Sequence, residues 1–223
     1  MIIAYDNLLK DATLSATNEH SSYPVYNLFH KWKKQVFRAT ASISTITVQL
    51  DGLKTINSLF VLYHNLVDIE VRFYNTGALV DTWTDFVKHK EVIADSIELD
   101  LTAPTDIWVG LIFIGDSLYF RKSADQDIPL MSTDVPTFSS DGQVAGRRGS
   151  VLRGGTIEIP FLTELEREQL EEVYYSCGMV EPIYLDLWQE SQFPALYGVF
   201  ASDLDVSHHQ EGDTVSFSFK EVN

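Results

Sequence analysis

The chain is short of cysteine, short of positive charge and without a long apolar run. Its single thiol, Cys177, excludes an internal disulfide framework and any cysteine-cluster zinc site. Lys and Arg number 16 against 32 Asp and Glu, a formal net charge of −16. A field of that sign repels phosphate, so nucleic acid is not an expected partner. The most apolar stretch, 107–114, has the length of a strand and not of a membrane span, and no membrane insertion is expected. The opening MIIAYDNLLKDA has no basic segment ahead of an apolar one. It does not read as a signal peptide, and synthesis in a cytoplasm is expected.

Catalytic signatures are missing as well. Gly149 to Thr156 (GSVLRGGT) has two glycines and a Thr at P-loop offsets but no lysine to meet a phosphate, and a strand pattern follows it. No GxSxG elbow occurs. The six histidines are scattered, and the adjacent His208 and His209 would point to opposite faces of a strand. His64, after an apolar run, reads as a satisfied strand-end histidine. The acid pairs Asp125/Asp127 and Asp203/Asp205 lack the glycine and closing Glu of a calcium loop. No metal, cofactor or enzymatic activity is expected.

What is present is β-structure. Aromatic residues make up 12% of the chain and the hydrophobic fraction is 45%, enough for a large core. Residues 42–50, 69–74 and 96–101 alternate apolar and polar, 59–63 and 108–114 are continuously apolar, and turns such as Asp51-Gly52 separate the runs. Several short strands at regular spacing predict a sandwich or barrel over 1–120. Residues 121–156, rich in Ser, Asp, Gly and Arg, read as a polar connector with short strands of its own. The remainder, 157–223, predicts a small antiparallel sheet with one helix. Thr163 is the N-cap candidate, with Glu166 three residues on to complete a capping box. Leu170, Val173, Tyr174 and Cys177 form its apolar stripe and Gly178 ends it, a helix of about 163–177. The fold class is therefore mainly β, a sandwich followed by a small α+β unit.

Two basic clusters interrupt the acidic chain: His30, Lys31, Trp32, Lys33 and Lys34 with Arg38 near, and Arg147 and Arg148 with Arg153. They read either as docking patches for acidic surfaces or as solvated loop charges.

The order Tyr23-Pro24, Asn27-Leu28, Trp32, Arg38-Ala39-Thr40, then the strand ending at Leu50, resembles discoidin-like (galactose-binding-like) β-sandwich domains of the jelly-roll type. His64-Asn65-Leu66 ahead of 69–74 is similar to the variant found in bacteriophage tails. Leu162-Thr163 with Glu166, Gly178 with Pro182, and Phe217 to Glu221 resemble the ending of distal tail and tail-tip proteins. The resemblance implies a structural component of a phage tail, a virion protein of the baseplate region. It would form a ring of three or six copies against the tail tube, hub and tape-measure proteins. Arg147, Arg148, Arg153, Lys31, Lys33 and Lys34 would serve that interface, the arginines against the acidic face Glu164 to Glu172. The sandwich would then face outward for weak contact with a host-surface glycan. The alternative is a carbohydrate-binding module or adhesin that acts without a ring, with Trp32 or Trp83 as the stacking ring.

Overall fold

A computed structural model describes residues 1–29, 35–120, 130–132, 135–138, 144–147, 151–186 and 196–222, with backbone only for the strand residues between 130 and 153. The fold is mainly β with one long helix. The chain divides into two compact units, one of residues 2–119 with 184–195, the other of Met1, 120–183 and 196–223. Residues 184–186 thus return to the first unit although they lie late in the chain.

The first unit contains β1 (Ile2–Asn7), β2 (Thr13–Ala16), β3 (Phe37–Arg38), β4 (Ile43–His64), β5 (Asp68–Asn75), β6 (Ala78–Trp83), β7 (Val87–Thr102) and β8 (Trp108–Tyr119). Every pairing among them is antiparallel. The first half of β4 lies between β2 and β7, and its second half lies between β7 and β8. Beyond β7 come β5 and the edge strand β6. On the other side β8 carries β3 at its start and β1 at its end. The alternation seen in the sequence puts Ile46, Val48 and Leu50 of β4, Ile69, Val71 and Phe73 of β5, and Ile97, Leu99 and Leu101 of β7 into one buried cluster.

The Asp51-Gly52 pair, expected to end a strand, lies inside β4 instead. Gly52 has φ +135°, and the β4–β7 register shifts between Gln49 and Lys54. Glycine absorbs the bulge there, so the strand bends and continues rather than reversing.

In the second unit, β12 (Val151–Leu162) pairs with β16 (Asp213–Glu221), which also pairs with β14 (Leu196–Phe200) and β15 (Asp205–Ser207). The segment read as a connector contributes β9 (Leu130–Ser132), paired with β12, and the hairpin β10 (Val135–Phe138) with β11 (Val144–Arg147). A cysteine-bearing helix, α1 (Glu164–Cys177), buries Leu170, Val173 and Cys177. Phe200 meets Phe217 at 5.0 Å and Tyr174 at 5.3 Å between ring centres. Gly198 lets β16 approach β14, since a Cβ there would lie 2.3 Å from the Lys220 carbonyl.

The capping box forms as expected. The Thr163 hydroxyl accepts the Glu166 N–H, and the Glu166 carboxylate accepts the Thr163 N–H at 2.9 Å. Thr163→Ala removes one orphan-amide partner and should lower the stability of this unit by about 1 kcal/mol. Denaturant unfolding followed at the helix band checks this, and an unchanged midpoint would show that the box adds nothing.

Candidate functional site

The outward face of the first unit carries a cluster of aromatic and cationic side chains where β3 meets β8. Arg38 and Trp108 are direct register partners. Their neighbours in the ladder, Phe37 and Val109, are both fully buried. Alternation therefore sends Arg38 and Trp108 to the opposite face, where both are exposed. Directly opposed side chains share that face with Cβ atoms about 5 Å apart. The Arg38 guanidinium lies over the Tyr23 ring, 4.4 Å from its centre. Tyr23 in turn meets the His20 ring at 5.1 Å.

Backbone bonds hold these groups in place. The Arg38 N–H donates to the Tyr23 carbonyl (3.1 Å) and its carbonyl accepts the His20 N–H (2.9 Å). Asn65, at the end of β4, clamps the other side. Its carboxamide accepts the Trp108 N–H at 2.9 Å and donates to the Asp106 carbonyl at 2.8 Å. The indole thus stands on a strand end pinned by Asn65, beside a guanidinium whose loop is pinned to β3. Sequence reading quoted Tyr23 only as part of a turn motif and Trp108 only within an apolar run, and proposed neither for a site. Trp108 begins an apolar run and looks like core, and its outward direction is set only by its pairing with Arg38.

The residues proposed from sequence fare differently. Trp83 is 2% exposed, packs on Phe73 at 4.3 Å and donates its indole N–H to Asp81 at 2.8 Å. It presents no ring face to solvent, because β6 turns it toward the core. Trp32, Lys31, Lys33, Lys34 and Arg148 lie outside the described residues. Arg147 ends β11 and Arg153 lies in β12. Asp125 and Asp127 also fall outside the described residues.

A second constellation, invisible in the sequence, gathers in the first unit. Ser58 Oγ lies 2.9 Å from His89 Nδ1, and His89 Nε2 lies 3.3 Å from an Asp186 carboxylate oxygen on β13 (Ile183–Asp186). The composition is that of a nucleophilic triad, but the setting differs. Ser58 is fully buried, and its hydroxyl also touches Ser117 Oγ at 2.5 Å, which bonds Asn57 at 2.8 Å. A hydrolytic serine must offer its oxygen to a substrate. Here both sides of the hydroxyl are taken by protein, and the chain of bonds ties β4, β7, β8 and β13 together.

Comparison with protein-family models finds no match, and comparison with the curated proteins finds none. Among solved structures, the chain is similar to the family 32 carbohydrate-binding module of C. perfringens NanJ, solved with galactose: 16% identity, TM-score 0.42, 53% of this chain and 100% of that one. It is also similar to chitosan-binding module 1 of a chitosanase/glucanase from Paenibacillus sp. IK-5, at 12% identity and TM-score 0.43, covering 50% and 100%. A GH29 fucosidase from Ruminococcus gnavus aligns at 12% identity and TM-score 0.44 over 51% of this chain, which spans only 27% of the fucosidase. None of these three is a phage tail protein.

His64 closes β4 as a satisfied histidine. Its Nδ1 accepts the Leu66 N–H at 3.1 Å and its ring stacks on Phe86 at 4.4 Å. Burial pushes its pKa below the ordinary 6.5. The unfolded chain therefore takes up a proton before the folded one does. The His64 contribution is complete above about pH 6.5 and is lost as pH falls toward the folded value, with a slope of at most about 1.4 kcal/mol per pH unit. Thermal melts of the protein and of His64→Gln from pH 7.5 to 5 should converge in that window. Parallel curves would show that His64 is not the titrating group.

Proposed function

We propose that the first unit recognises carbohydrate on the surface centred on Trp108. The observation that supports this is the exposed indole standing directly across the ladder from the exposed guanidinium of Arg38, each held by its own backbone bonds. A sugar ring offers an apolar C–H face and a rim of hydroxyls. An indole stacks against the face, while fixed donors such as Arg38 meet the rim. Preorganised side chains lose little conformational entropy on binding, which suits a small ligand. No step of bond making or breaking belongs to this reading.

Trp108→Ala should weaken binding to the ligand that a glycan array identifies by tenfold or more, since stacking rings are binding hot spots. The melting temperature should change little, because the side chain is exposed. Titration calorimetry and melting curves of the two proteins check both halves. Unchanged affinity would place sugar contact elsewhere.

A second reading, the phage-tail component, draws on a different observation. Tyr175, Met179 and Val180 are exposed around the end of α1, and Leu165 is exposed at its start. Such apolar groups suit burial against another copy or a neighbouring tail protein in a virion. Light scattering across concentration and salt should then give a discrete ring of three or six copies that Tyr175→Asp with Val180→Asp breaks to monomers. A monomer at every concentration, with or without the substitutions, would count against self-assembly through this face.

A further inference from the structure

Resting on the sugar-binding reading of the Trp108 surface, we infer that its ligand is an acidic saccharide, one whose ring carries a carboxylate that Arg38 pairs with.

Elsewhere in this chain most of the cations whose side chains are described are met by acids. Acids outnumber bases two to one, 32 against 16. Arg72 is met by Glu70 at 3.5 Å, Glu98 at 3.2 Å and Asp100 at 2.5 Å. Arg167 is met by Glu171 at 2.6 Å and Asp213 at 2.8 Å. Lys54, Lys88 and Lys90 each hold an aspartate at 2.7 Å. Arg38 is the exception among the arginines whose side chains are described. Among the described residues no carboxylate lies within 4 Å of it, and its guanidinium lies over the Tyr23 ring. The nearby acid that could have served, Glu19, is engaged instead with the Val25 N–H at 2.9 Å.

The guanidinium over the Tyr23 ring carries five N–H donors that meet no carboxylate among the described residues. The edge of a guanidinium takes a carboxylate through two parallel hydrogen bonds. Contact with Tyr23 restricts the side chain, which lowers the cost of ordering it on binding. Trp108 stands beside it on the same face. A sugar stacked on the indole brings its exocyclic carboxyl within reach of that edge, whereas a neutral sugar there offers only single hydroxyl contacts. The overall charge of −16 opposes an anion at long range. At physiological ionic strength the screening length is about 8 Å, so remote acids slow the encounter more than they weaken the contact itself.

The test uses the whole protein and matched ligands. Calorimetry would compare oligosaccharides of galacturonate, glucuronate and mannuronate, and sialyllactose, with their own methyl esters. Each pair keeps the neutral framework and changes the charge. At least one acid should bind about tenfold or more tightly than its neutral partner, the difference expected of a charge-assisted pair over neutral contacts. Arg38→Gln should erase that preference, weakening the acid far more than its neutral partner, which loses only a hydroxyl contact. Arg38→Lys should keep part of it, having charge but no fork. Neutral ligands that bind as tightly as their acids, with Arg38→Gln affecting both alike, would overturn the inference and leave the sugar reading standing. No binding by any ligand of the panel would overturn the inference, and no binding on the glycan array would sink the sugar reading as well.

Discussion

The first unit depends on one long strand that must pair with several partners in turn. Backbone N–H and C=O groups buried in a core have to be paired, and β4 pairs in turn with β2, β7 and β8 over its 22 residues. The strand stays continuous because it bends at Gly52, where a positive φ and three extra residues between Gln49 and Lys54 are absorbed against β7. Before the bend, alternate residues face the core. Beyond it, Leu59 to Leu62 are buried in succession, as expected of a strand covered on both sides. Trp108 is positioned from the far end of this strand. Its strand, β8, aligns on the end of β4 through His64 and Val109, and β3 then pairs at the same level through Phe37 and Val109. With Val109 inward, Trp108 has to point out.

Charge is handled locally rather than by balance over the whole chain. Arg72 lies within a row of acids that also engages Thr45 and Tyr74, through Asp100 at 2.6 Å and Glu98 at 2.8 Å. Tyr74 is held above its ordinary pKa chiefly by that bond to Glu98. Asp81 is held below the carboxylate range first by Lys90, with the Trp83 indole adding its N–H. Such partly exposed pairs add little stability one by one, generally below about 1 kcal/mol. Their effect is to pair most of the cations whose side chains are described. Against that background the exposed Arg38, over an aromatic ring and opposite a tryptophan, is the observation that the sugar-binding proposal draws on.

The Ser58, His89 and Asp186 trio makes the complementary point. The residue types of a triad have met, yet burial and a second serine turn the same hydrogen bonds into a structural clamp. Chemistry belongs to groups that can be reached and left incompletely satisfied, and a list of residue types does not contain that information. The exposed apolar residues around α1 are of the opposite kind. They are accessible, which is why the assembly reading attaches to them and not to the clamp.

The amino-acid sequence by itself determined the features that rest on neighbours within a few positions. The period-two alternation marks which face of β5 and of the later part of β7 turns inward. The Thr163–Glu166 box and Gly178 bound the helix, since capping bonds span only three or four residues. The continuity of β4 was not legible, because a bulge and a turn use the same Asp-Gly pair and only the partner strands distinguish them. Nor were the roles of the tryptophans, with Trp83 inside and Trp108 outside. Trp108 acquires its direction from a register with Arg38, and Ser58, His89 and Asp186 meet across separations of 31 and 97 residues. Tertiary structure decided these, because register between distant strands is set by how all the layers pack at once and by no local run of residues.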